Sequence, residues 1–349
     1  MFRTPNRWQS ASAVAGYNGA AFMPPRLRQD PFTWAWVVSG EVSPQPTAPP
    51  DPCPFCPAQQ ASARETLIAE RPAGAAWQVR VVADRAPLFH IEGELDRAGE
   101  GMFDSMNSVG AHEIIIEGQD HAASPGSLAP EHWNLLLETF RDRIADLKRD
   151  PRVRYVEVFQ NHGPQAGALV AHPHAQLLAS PVLPHRVERE LRAAYRHFEL
   201  KQRCLFCDLI RQETKEKVRL VADQDGFVLL CPFASRYPYE MWLLPRHHHS
   251  SFEVAAANSG MIPSLAAALQ TAVRKAERIA PSFHLTLHTE PSRLVPPVLL
   301  ERWQTLTDDY HWHIEILPRV EARRKYLREE EFYLNPVLPE DAARALRES

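Results

Sequence analysis

The sequence predicts an α+β fold made of two copies of one unit, and three observations support this prediction. Four of the five cysteines in the 349-residue chain form two Cys-x-x-Cys pairs, Cys53/Cys56 and Cys204/Cys207. Each pair is followed by a separate histidine and then by a His-x-His motif, in the same order. Strand-like segments and a long helical pattern also recur in both halves. A chain of this length can form two units that each bury a core.

The two predicted units are residues 1–195 and 196–349. The spacing of residues supports this duplication, because His121 follows Glu113 by eight residues and His248 follows Glu240 by the same interval. We therefore expect each unit to carry a Cys-x-x-Cys pair, then a histidine, then a His-x-His motif.

In the first unit, the elements are predicted from hydrophobic patterns and from the residues that bound them. Short segments rich in β-branched or aromatic residues predict strands at 77–82, 113–116 and 153–160. Pro130 can occupy the first turn of a helix, and apolar residues recur at helical spacing from there to Asp150-Pro151, which should end the helix.

The second unit shows a matching order of elements. A strand is predicted at 240–243, followed by an Ala/Leu-rich helix at about 261–279 and a strand near 284–288. The segment 311–315, His-Trp-His-Ile-Glu, then takes the place of 172–176 in the first unit. The repeat therefore extends over the second half of the chain.

A glycine-containing loop at 161–167 leads to the segment 172–176, His-Pro-His-Ala-Gln. Side chains alternate between the two faces of a strand, so His172, His174 and Gln176 are expected to form one row. Pro173 has no backbone donor, which predicts that this strand lies at a sheet edge or in a position that needs no hydrogen bond there. The row is therefore expected to be accessible to a substrate.

The composition narrows the class of protein. The net charge of −4 does not indicate binding to DNA or RNA, whereas a small anionic ligand is compatible with it. Residues 1–19 lack the pattern of a signal peptide, and no segment approaches the roughly 20 apolar residues of a membrane span. The few cysteines favour thiolate metal ligands in a reducing cytosol over disulfides. We expect a cytoplasmic protein that does not enter a membrane.

The cysteines and histidines predict two zinc sites, since two thiolates and two imidazoles are a common tetrahedral zinc set. The first predicted set is Cys53, Cys56, His121 and His172, and the second is Cys204, Cys207, His248 and His311. The alternative is that the thiols are packing residues and the histidines are hydrogen-bonded core groups. That alternative must explain the same pattern twice, so the repeat favours metal sites.

If His172 binds metal, then His174 is free to react. A neutral imidazole is nucleophilic near pH 7, and attack on phosphorus is a natural use of it. A phosphoryl group needs donors for its oxygens, and Gln176 and the amides of the 161–167 loop could supply them. The alternative is that His-x-His on a strand is a metal pair or a packing arrangement.

These motifs resemble those of the galactose-1-phosphate uridylyltransferase branch of the histidine-triad superfamily. The resemblance rests on Asn161-His162-Gly163, Gly167 and 172–176, together with the first cysteine pair and His121, and it extends over nearly the whole chain. It implies two histidine-triad-like units whose antiparallel sheets form a half-barrel with flanking helices. Triad hydrolases carry a third histidine where this chain has Gln176, whereas transferases carry glutamine, so the resemblance implies a transferase.

The resemblance also implies roles for individual residues. His174 would be nucleotidylated, Gln176 and Asn161 would bind phosphates beside Gly163, and Asp84 would contact the ribose. Both zinc ions would be structural. The substrates would be a nucleotide sugar with either a sugar 1-phosphate or inorganic phosphate, and the protein could be a homodimer.

Two features bear on specificity. Many uridylyltransferases have a second metal site of one glutamate and three histidines; Glu190 and His288 match it, but Glu315 and Leu317 stand at the other two positions, so we expect that site to be absent. The second Cys/His set instead resembles that of ADP-glucose phosphorylases, which transfer AMP to phosphate. Uridylyl and adenylyl transfer are both compatible with the sequence.

Two other classes of protein are considered. A zinc-containing nucleic-acid-binding module would need basic surfaces, but the basic run at 323–325 is followed by three glutamates at 329–331. A triad-type hydrolase would release nucleotide into water, and Gln176 argues against it. We therefore predict a nucleotidylyltransferase.

Overall fold

The computed structural model describes residues 25–40, 49–60, 66–258, 260–294, 304–320 and 333–349. The basic run at 323–325 and the glutamates at 329–331 lie outside these ranges. The strands of the described ranges are β1 (Arg26–Gln29), β2 (Trp36–Ser39), β3 (Leu67–Arg71), β4 (Val79–Ala83), β5 (Ala98–Glu100), β6 (Phe103–Asn107), β7 (Ala111–Ile116), β8 (Tyr155–His162), β9 (His174–Ser180), β10 (Leu220–Gln224), β11 (Phe227–Leu230), β12 (Met241–Pro245), β13 (Phe283–His288) and β14 (His313–Pro318).

The helices lie mostly between the later strands. They are α1 (Pro57–Gln60), α2 (Pro130–Leu147), α3 (His185–Lys201), α4 (Leu205–Glu216), α5 (Phe252–Ala255), α6 (Met261–Ile279), α7 (Leu306–Asp309) and α8 (Pro339–Glu348). Pro130 is the first residue of α2, where its missing amide hydrogen is not needed, and the helix ends three residues before Asp150. The predicted α2 and α6 are therefore both present.

Ten of the strands form one antiparallel sheet that runs through both halves of the chain. The strand order is β10-β11-β12-β14-β13-β8-β9-β7-β4-β3. Read outward from the central β13–β8 pair, the two halves follow the same order, so that β14 corresponds to β9, β12 to β7, β11 to β4 and β10 to β3. This arrangement confirms the α+β class and shows the duplication in the sheet itself.

The core lies between this sheet and the two long helices. The apolar residues of α2 that recur at helical spacing, among them Trp133, Leu137 and Ile144, are all nearly inaccessible to solvent. α6 contributes a matching face that includes Leu265 and Leu269. Burial of each such side chain contributes about 1.5–3 kcal/mol. The helices therefore cover the sheet face that carries Ala175 and Leu177, opposite to the face that carries His174 and Gln176.

A second, four-stranded sheet of order β2-β1-β6-β5 was not predicted from the sequence. Its strands are only three to five residues long and show no clear alternation. Its partners β1 and β6 are far apart in the sequence, so that pairing leaves no local signal.

Of the two placements predicted for Pro173, the accessible sheet edge is wrong, and the structure has the other, a position that needs no hydrogen bond from the proline nitrogen. β9 lies between β7 and β8 inside the large sheet, and it begins at His174. Pro173 precedes the strand, and its carbonyl accepts a hydrogen bond from the amide of Glu117. His172 is fully buried and His174 is 7% exposed. A proline just before a strand needs no partner for its nitrogen, which is why an interior strand tolerates it here.

The predicted division between residues 195 and 196 stays a prediction, and it would fall within α3. None of the helices in the described part of the chain is long and apolar enough to span a membrane.

Candidate functional site

The structure brings the first predicted metal set together at one end of the sheet. Cys56 Sγ lies 3.5 Å from His121 Nδ1 and 3.7 Å from His172 Nδ1. The four side chains of Cys53, Cys56, His121 and His172 each place a donor atom within 4.8 Å of the others. With Zn–S near 2.3 Å and Zn–N near 2.05 Å, a tetrahedron has S–N edges of about 3.6 Å. The set therefore fits a tetrahedral metal ion.

The second predicted set has the same geometry. Cys207 Sγ lies 3.4 Å from His248 Nδ1 and 3.6 Å from His311 Nδ1, and Cys204 completes the cluster. This cluster is more deeply placed than the first, because Cys204 and His311 are buried whereas His121 is exposed.

Both clusters have a second layer of hydrogen bonds that orients the imidazoles. His172 donates from Nε2 to the carbonyl of Gly118 at 2.9 Å. In the second cluster, His248 donates to the carbonyl of Thr307 and His311 donates to that of Pro245. Because Nε2 carries the hydrogen and donates it, Nδ1 has a lone pair that can bind a metal, as expected of metal-ligating histidines.

His174 lies beside the first cluster but is not part of it. The carbonyl of His172 is 2.8 Å from His174 Nδ1, so Nδ1 carries the hydrogen and donates it there. Burial lowers the pKa of His174 below its usual value. The ring is therefore neutral near pH 7, and its Nε2 carries a lone pair.

Phe55 connects the cysteine pair to this ring. Its side chain lies 4.9 Å from the ring of His174 and 6.3 Å from that of His172, measured between centroids. Because Phe55 stands between Cys53 and Cys56, a metal ion that fixes the two thiolates also fixes this contact. The sequence analysis did not assign it a role, although the Cys-x-Phe-Cys pattern occurs in both cysteine pairs.

Gln176 and Asp84 converge on one histidine that the sequence analysis missed. Nε2 of His112 lies 3.1 Å from Gln176 Oε1 and 3.4 Å from Asp84 Oδ2. His112 is on β7, and its register places it diagonally from Gln176 on β9. Gln176 and His174 are two residues apart on β9 and share a face of the sheet.

Asn161 and Gly163 lie at the end of β8 and in the loop that follows it. The side-chain oxygen of Asn161 contacts Nδ1 of His284, a β13 residue from the second half of the chain. Gly163 has a φ of +77°, and a Cβ there would come within 2.3 Å of Ser282 Oγ. Only glycine fits this conformation and this space, so the loop requires Gly163 whatever else it does.

The second half contains a counterpart of the His174 site in which the histidine is inaccessible. His313 corresponds to His174, and its Nδ1 donates to the carbonyl of His311 at 3.1 Å. Phe206 packs 5.0 Å from its ring, as Phe55 does on His174. His313 is fully buried and stacks on His288 at 4.7 Å. Of these two histidines, only His174 is exposed at all.

The expectation that the glutamate–histidine metal site lacks its residues is wrong. The structure brings together Glu190, His288, His313 and Glu315, with donor atoms within 4.8 Å of one another. His313 and Glu315 take the two positions that were predicted for Glu315 and Leu317, and Leu317 lies farther along β14, where it pairs with His284 on β13. The error was one of register by two residues.

This third cluster could hold a divalent cation, because several of its buried atoms have no hydrogen-bond partner in the described structure. These atoms are both carboxylate oxygens of Glu190, Nδ1 of His288 and Nε2 of His313. Both glutamates also form ion pairs: Glu190 lies 3.2 Å from Arg186 and 3.4 Å from His288, and Glu315 pairs with Arg186 and with Arg236, the latter at 2.7 Å. Mixed nitrogen and oxygen donors suit several divalent metals.

Glu117 follows β7 directly, and its carboxyl group is buried. The side chain of Gln160 donates to Glu117 Oε2 at 2.7 Å, and the backbone amide of Glu117 donates to the Pro173 carbonyl. Burial raises the pKa of Glu117 to about 8. The folded protein therefore holds this group protonated at neutral pH, whereas the unfolded chain ionises it.

We expect Glu117→Gln to make the free energy of unfolding less dependent on pH. A raised carboxyl pKa means that stability is full below about pH 4.5 and falls as pH rises to about 8, by about 1.4 kcal/mol per unit. Between pH 5 and pH 8, the free energy of unfolding of the variant should therefore rise by several kcal/mol relative to that of the wild type. Urea unfolding followed by tryptophan fluorescence would measure this gain, with exposed Glu131→Gln as control. Parallel pH curves would contradict it.

Comparisons with known proteins agree with this geometry. The sequence profile of the family described as galactose-1-phosphate uridyl transferase, N-terminal domain, matches residues 19–184, and that of a domain of unknown function (DUF4921) matches residues 109–274. An ADP-glucose phosphorylase of Arabidopsis thaliana is 28% identical over 93% of each chain. A galactose-1-phosphate uridylyltransferase of Thermotoga maritima is 26% identical over 93% of this chain and 98% of its own.

A solved structure extends this agreement to the fold. The crystal structure of an ADP-glucose phosphorylase from Arabidopsis thaliana with bound ADP-glucose has a TM-score of 0.72 and 27% identity, covering 94% of this chain and 99% of its own. The fold and the paired clusters thus define a duplicated α+β protein with a histidine beside a Cys/His cluster. The chain is similar to galactose-1-phosphate uridylyltransferases and to ADP-glucose phosphorylases over most of its length.

Proposed function

We propose that this protein is a hexose-1-phosphate nucleotidylyltransferase that works through a covalent nucleotidyl-histidine at His174. The first candidate activity is that of a UDP-glucose:hexose-1-phosphate uridylyltransferase. The observation that carries the proposal is the hydrogen bond from His174 Nδ1 to the His172 carbonyl, which leaves Nε2 as the free nucleophile.

The proposed reaction has two steps. In the first, the lone pair of His174 Nε2 forms a bond to the α-phosphorus of the nucleotide sugar, and the bond from that phosphorus to the leaving sugar 1-phosphate oxygen breaks. In the second, a phosphate oxygen of the acceptor attacks the same phosphorus, and the P–N bond breaks to restore the lone pair. The His172 carbonyl stabilises the positive charge that the ring carries between the steps.

Other predicted site residues bind the substrate in this proposal. Gln176 and Asn161 donate to phosphate oxygens, amides of the loop at Gly163 add further donors, and Asp84 accepts from the ribose. Because Gln176 cannot act as an acid, the first leaving group must be one that departs without a proton. A sugar 1-phosphate, which is stable as an anion, meets this requirement.

We propose that the two Cys/His clusters hold structural zinc ions. A zinc ion in the first cluster would fix the thiolate turn with Phe55 and the orientation of His172. Two contacts of His174 then orient its ring: the His172 carbonyl sets its tautomer, and Phe55 packs against it.

A second candidate function is adenylyl transfer from ADP-glucose to inorganic phosphate. It is supported by the resemblance in sequence of the second Cys/His set to ADP-glucose phosphorylases and by the 28% identity to the Arabidopsis enzyme. The two candidates share the chemistry at His174 and differ in the base and in the acceptor.

Incubation of the protein with UDP-glucose or ADP-glucose, each labelled at the α-phosphate, tests both candidates. We expect one of the two to leave label on His174, and the label to stay on the protein until a sugar 1-phosphate or phosphate is added. Steady release of nucleotide without an acceptor would indicate a hydrolase. Absence of label with either compound would overturn the proposal.

The homodimer and the cytoplasmic location stay predictions. Sedimentation equilibrium would measure the first.

A further inference from the structure

Two histidines outside the predicted site contact the side-chain oxygens of its two carboxamides. His112 Nε2 lies 3.1 Å from Gln176 Oε1, and His284 Nδ1 contacts Asn161 Oδ1. One histidine comes from each half of the chain, on strands β7 and β13 that flank β9 and β8. The proposed chemistry does not use either ring directly.

The contacts of His112 determine which of its nitrogens carries the hydrogen. The backbone amide of Leu88 can only donate, and it lies 3.4 Å from Nδ1. Nδ1 is therefore the acceptor, and Nε2 carries the hydrogen. The atoms that face Nε2 are Gln176 Oε1 and Asp84 Oδ2, and both can accept. His112 is 9% exposed, so water competes little for these positions.

The surroundings of His284 are arranged in a similar way. The hydroxyl of Thr286 lies 2.8 Å from Nε2, and Asn161 lies at Nδ1. Burial lowers the pKa of His284 to about 4, so the ring is neutral near pH 7 and carries one hydrogen. With the hydroxyl donating to Nε2, this hydrogen is on Nδ1 and points to Asn161.

We propose that His112 and His284 are positioning residues that hold Gln176 and Asn161 with their NH2 groups toward the phosphates of the nucleotide. This inference rests on the proposed function. Phosphate oxygens accept hydrogen bonds, so each carboxamide must present nitrogen to them. Rotation of either amide by 180° would place its carbonyl against the anion and its NH2 against a ring N–H, leaving two donors facing each other.

The tautomers can be tested without any substrate. In protein labelled with ¹⁵N at its sixteen histidines, long-range ¹H–¹⁵N correlation distinguishes the two neutral tautomers from the charged ring. The resonances of the two rings are identified by their loss in His112→Gln and His284→Gln. We expect His112 as Nε2–H and His284 as Nδ1–H at pH 7.5. The opposite tautomer or a charged ring at either position would overturn the inference for that residue.

Substitutions at His112 test the effect on the reaction. Glutamine can donate from the position of Nε2, whereas ionised glutamate can only accept and would attract the NH2 group of Gln176. We expect kcat/KM to fall by less than about tenfold in His112→Gln and by at least about a hundredfold in His112→Glu. His284→Gln and His284→Glu should show the same contrast through Asn161. Exposed His185→Glu is the matched control for added charge.

A double-variant comparison shows whether His112 acts through Gln176. If it does, His112→Glu should cause little further loss in a Gln176→Ala background, since the group that it positions is already gone. Equal losses in the Gln and Glu variants, or full additivity with Gln176→Ala, would overturn the inference. Failure of the proposed function would instead appear as a wild-type protein that is not labelled at His174, and the tautomer measurement would still stand.

Discussion

Replacement of His174 by glycine is expected to abolish covalent labelling and to reduce turnover by at least about 10⁴-fold, while the metal content of the protein is unchanged. The reaction that we propose uses the Nε2 lone pair of this ring, and glycine offers no group in its place. His174 is not a member of either Cys/His cluster, although it lies two residues from His172. Its role in the reaction and the role of His172 in metal binding should therefore separate.

The two measurements are α-phosphate labelling with each nucleotide sugar and elemental analysis of zinc in the same preparation. His185→Gln serves as the control because this histidine is exposed at the start of α3 and is not a member of any of the three clusters. Two results would contradict the expectation. Persistence of label in the glycine variant would place the nucleophile elsewhere, and loss of one zinc ion with the label would show that the two roles are not separable.

Residues with a local pattern were predictable from the sequence. Apolar residues at helical spacing located α2, the Ala/Leu-rich composition located α6, and the repeated Cys-x-x-Cys and His-x-His spacing located both Cys/His clusters. Each of these patterns recurs within a few residues or repeats as a whole between the halves. These patterns can therefore be recognised in a single sequence without knowledge of the fold.

Features that depend on pairing across the sheet were not predictable in this way. His112 and His284 touch Gln176 and Asn161 across 64 and 123 residues of sequence, and nothing near either histidine marks that contact. The place of β9 inside the sheet depends on β7 and β8, which Pro173 alone does not reveal. The prediction for the third cluster was shifted by two residues along β14. Residues two apart on a strand point to the same face, so the alternation of faces cannot distinguish His313 and Glu315 from Glu315 and Leu317.

Removal of the two cysteine pairs should have opposite effects on activity and stability. We expect Cys53→Ser/Cys56→Ser to lose one zinc ion and most labelling of His174, with a small decrease in Tm. We expect Cys204→Ser/Cys207→Ser to lose the other zinc ion and to lower Tm by about 10 °C or more, while the folded fraction still labels His174. Serine keeps the size of cysteine but is a poor zinc ligand.

The difference follows from what each cluster holds. The first lies nearer the surface, with Cys53 and Cys56 half-buried, His121 exposed and His172 buried, and Phe55 between its two cysteines packs on His174. The second lies deeper, with Cys204 and His311 buried and Cys207 and His248 half-buried, and it connects separate parts of the second half, since His248 bonds to Thr307 and His311 bonds to Pro245. Loss of a metal ion from the second cluster would therefore free buried structure, whereas loss of one from the first would mainly free His174.

Zinc analysis, thermal unfolding and α-phosphate labelling below the Tm of each variant would test this contrast. Labelling is expressed per folded molecule, so that loss of activity is not confused with unfolding. The contrast fails if the second variant stays folded but cannot be labelled, or if the first labels normally without its zinc. In the latter case Phe55 and the His172 carbonyl would hold His174 without help from the metal, and the first cluster would be structural only for its own loop.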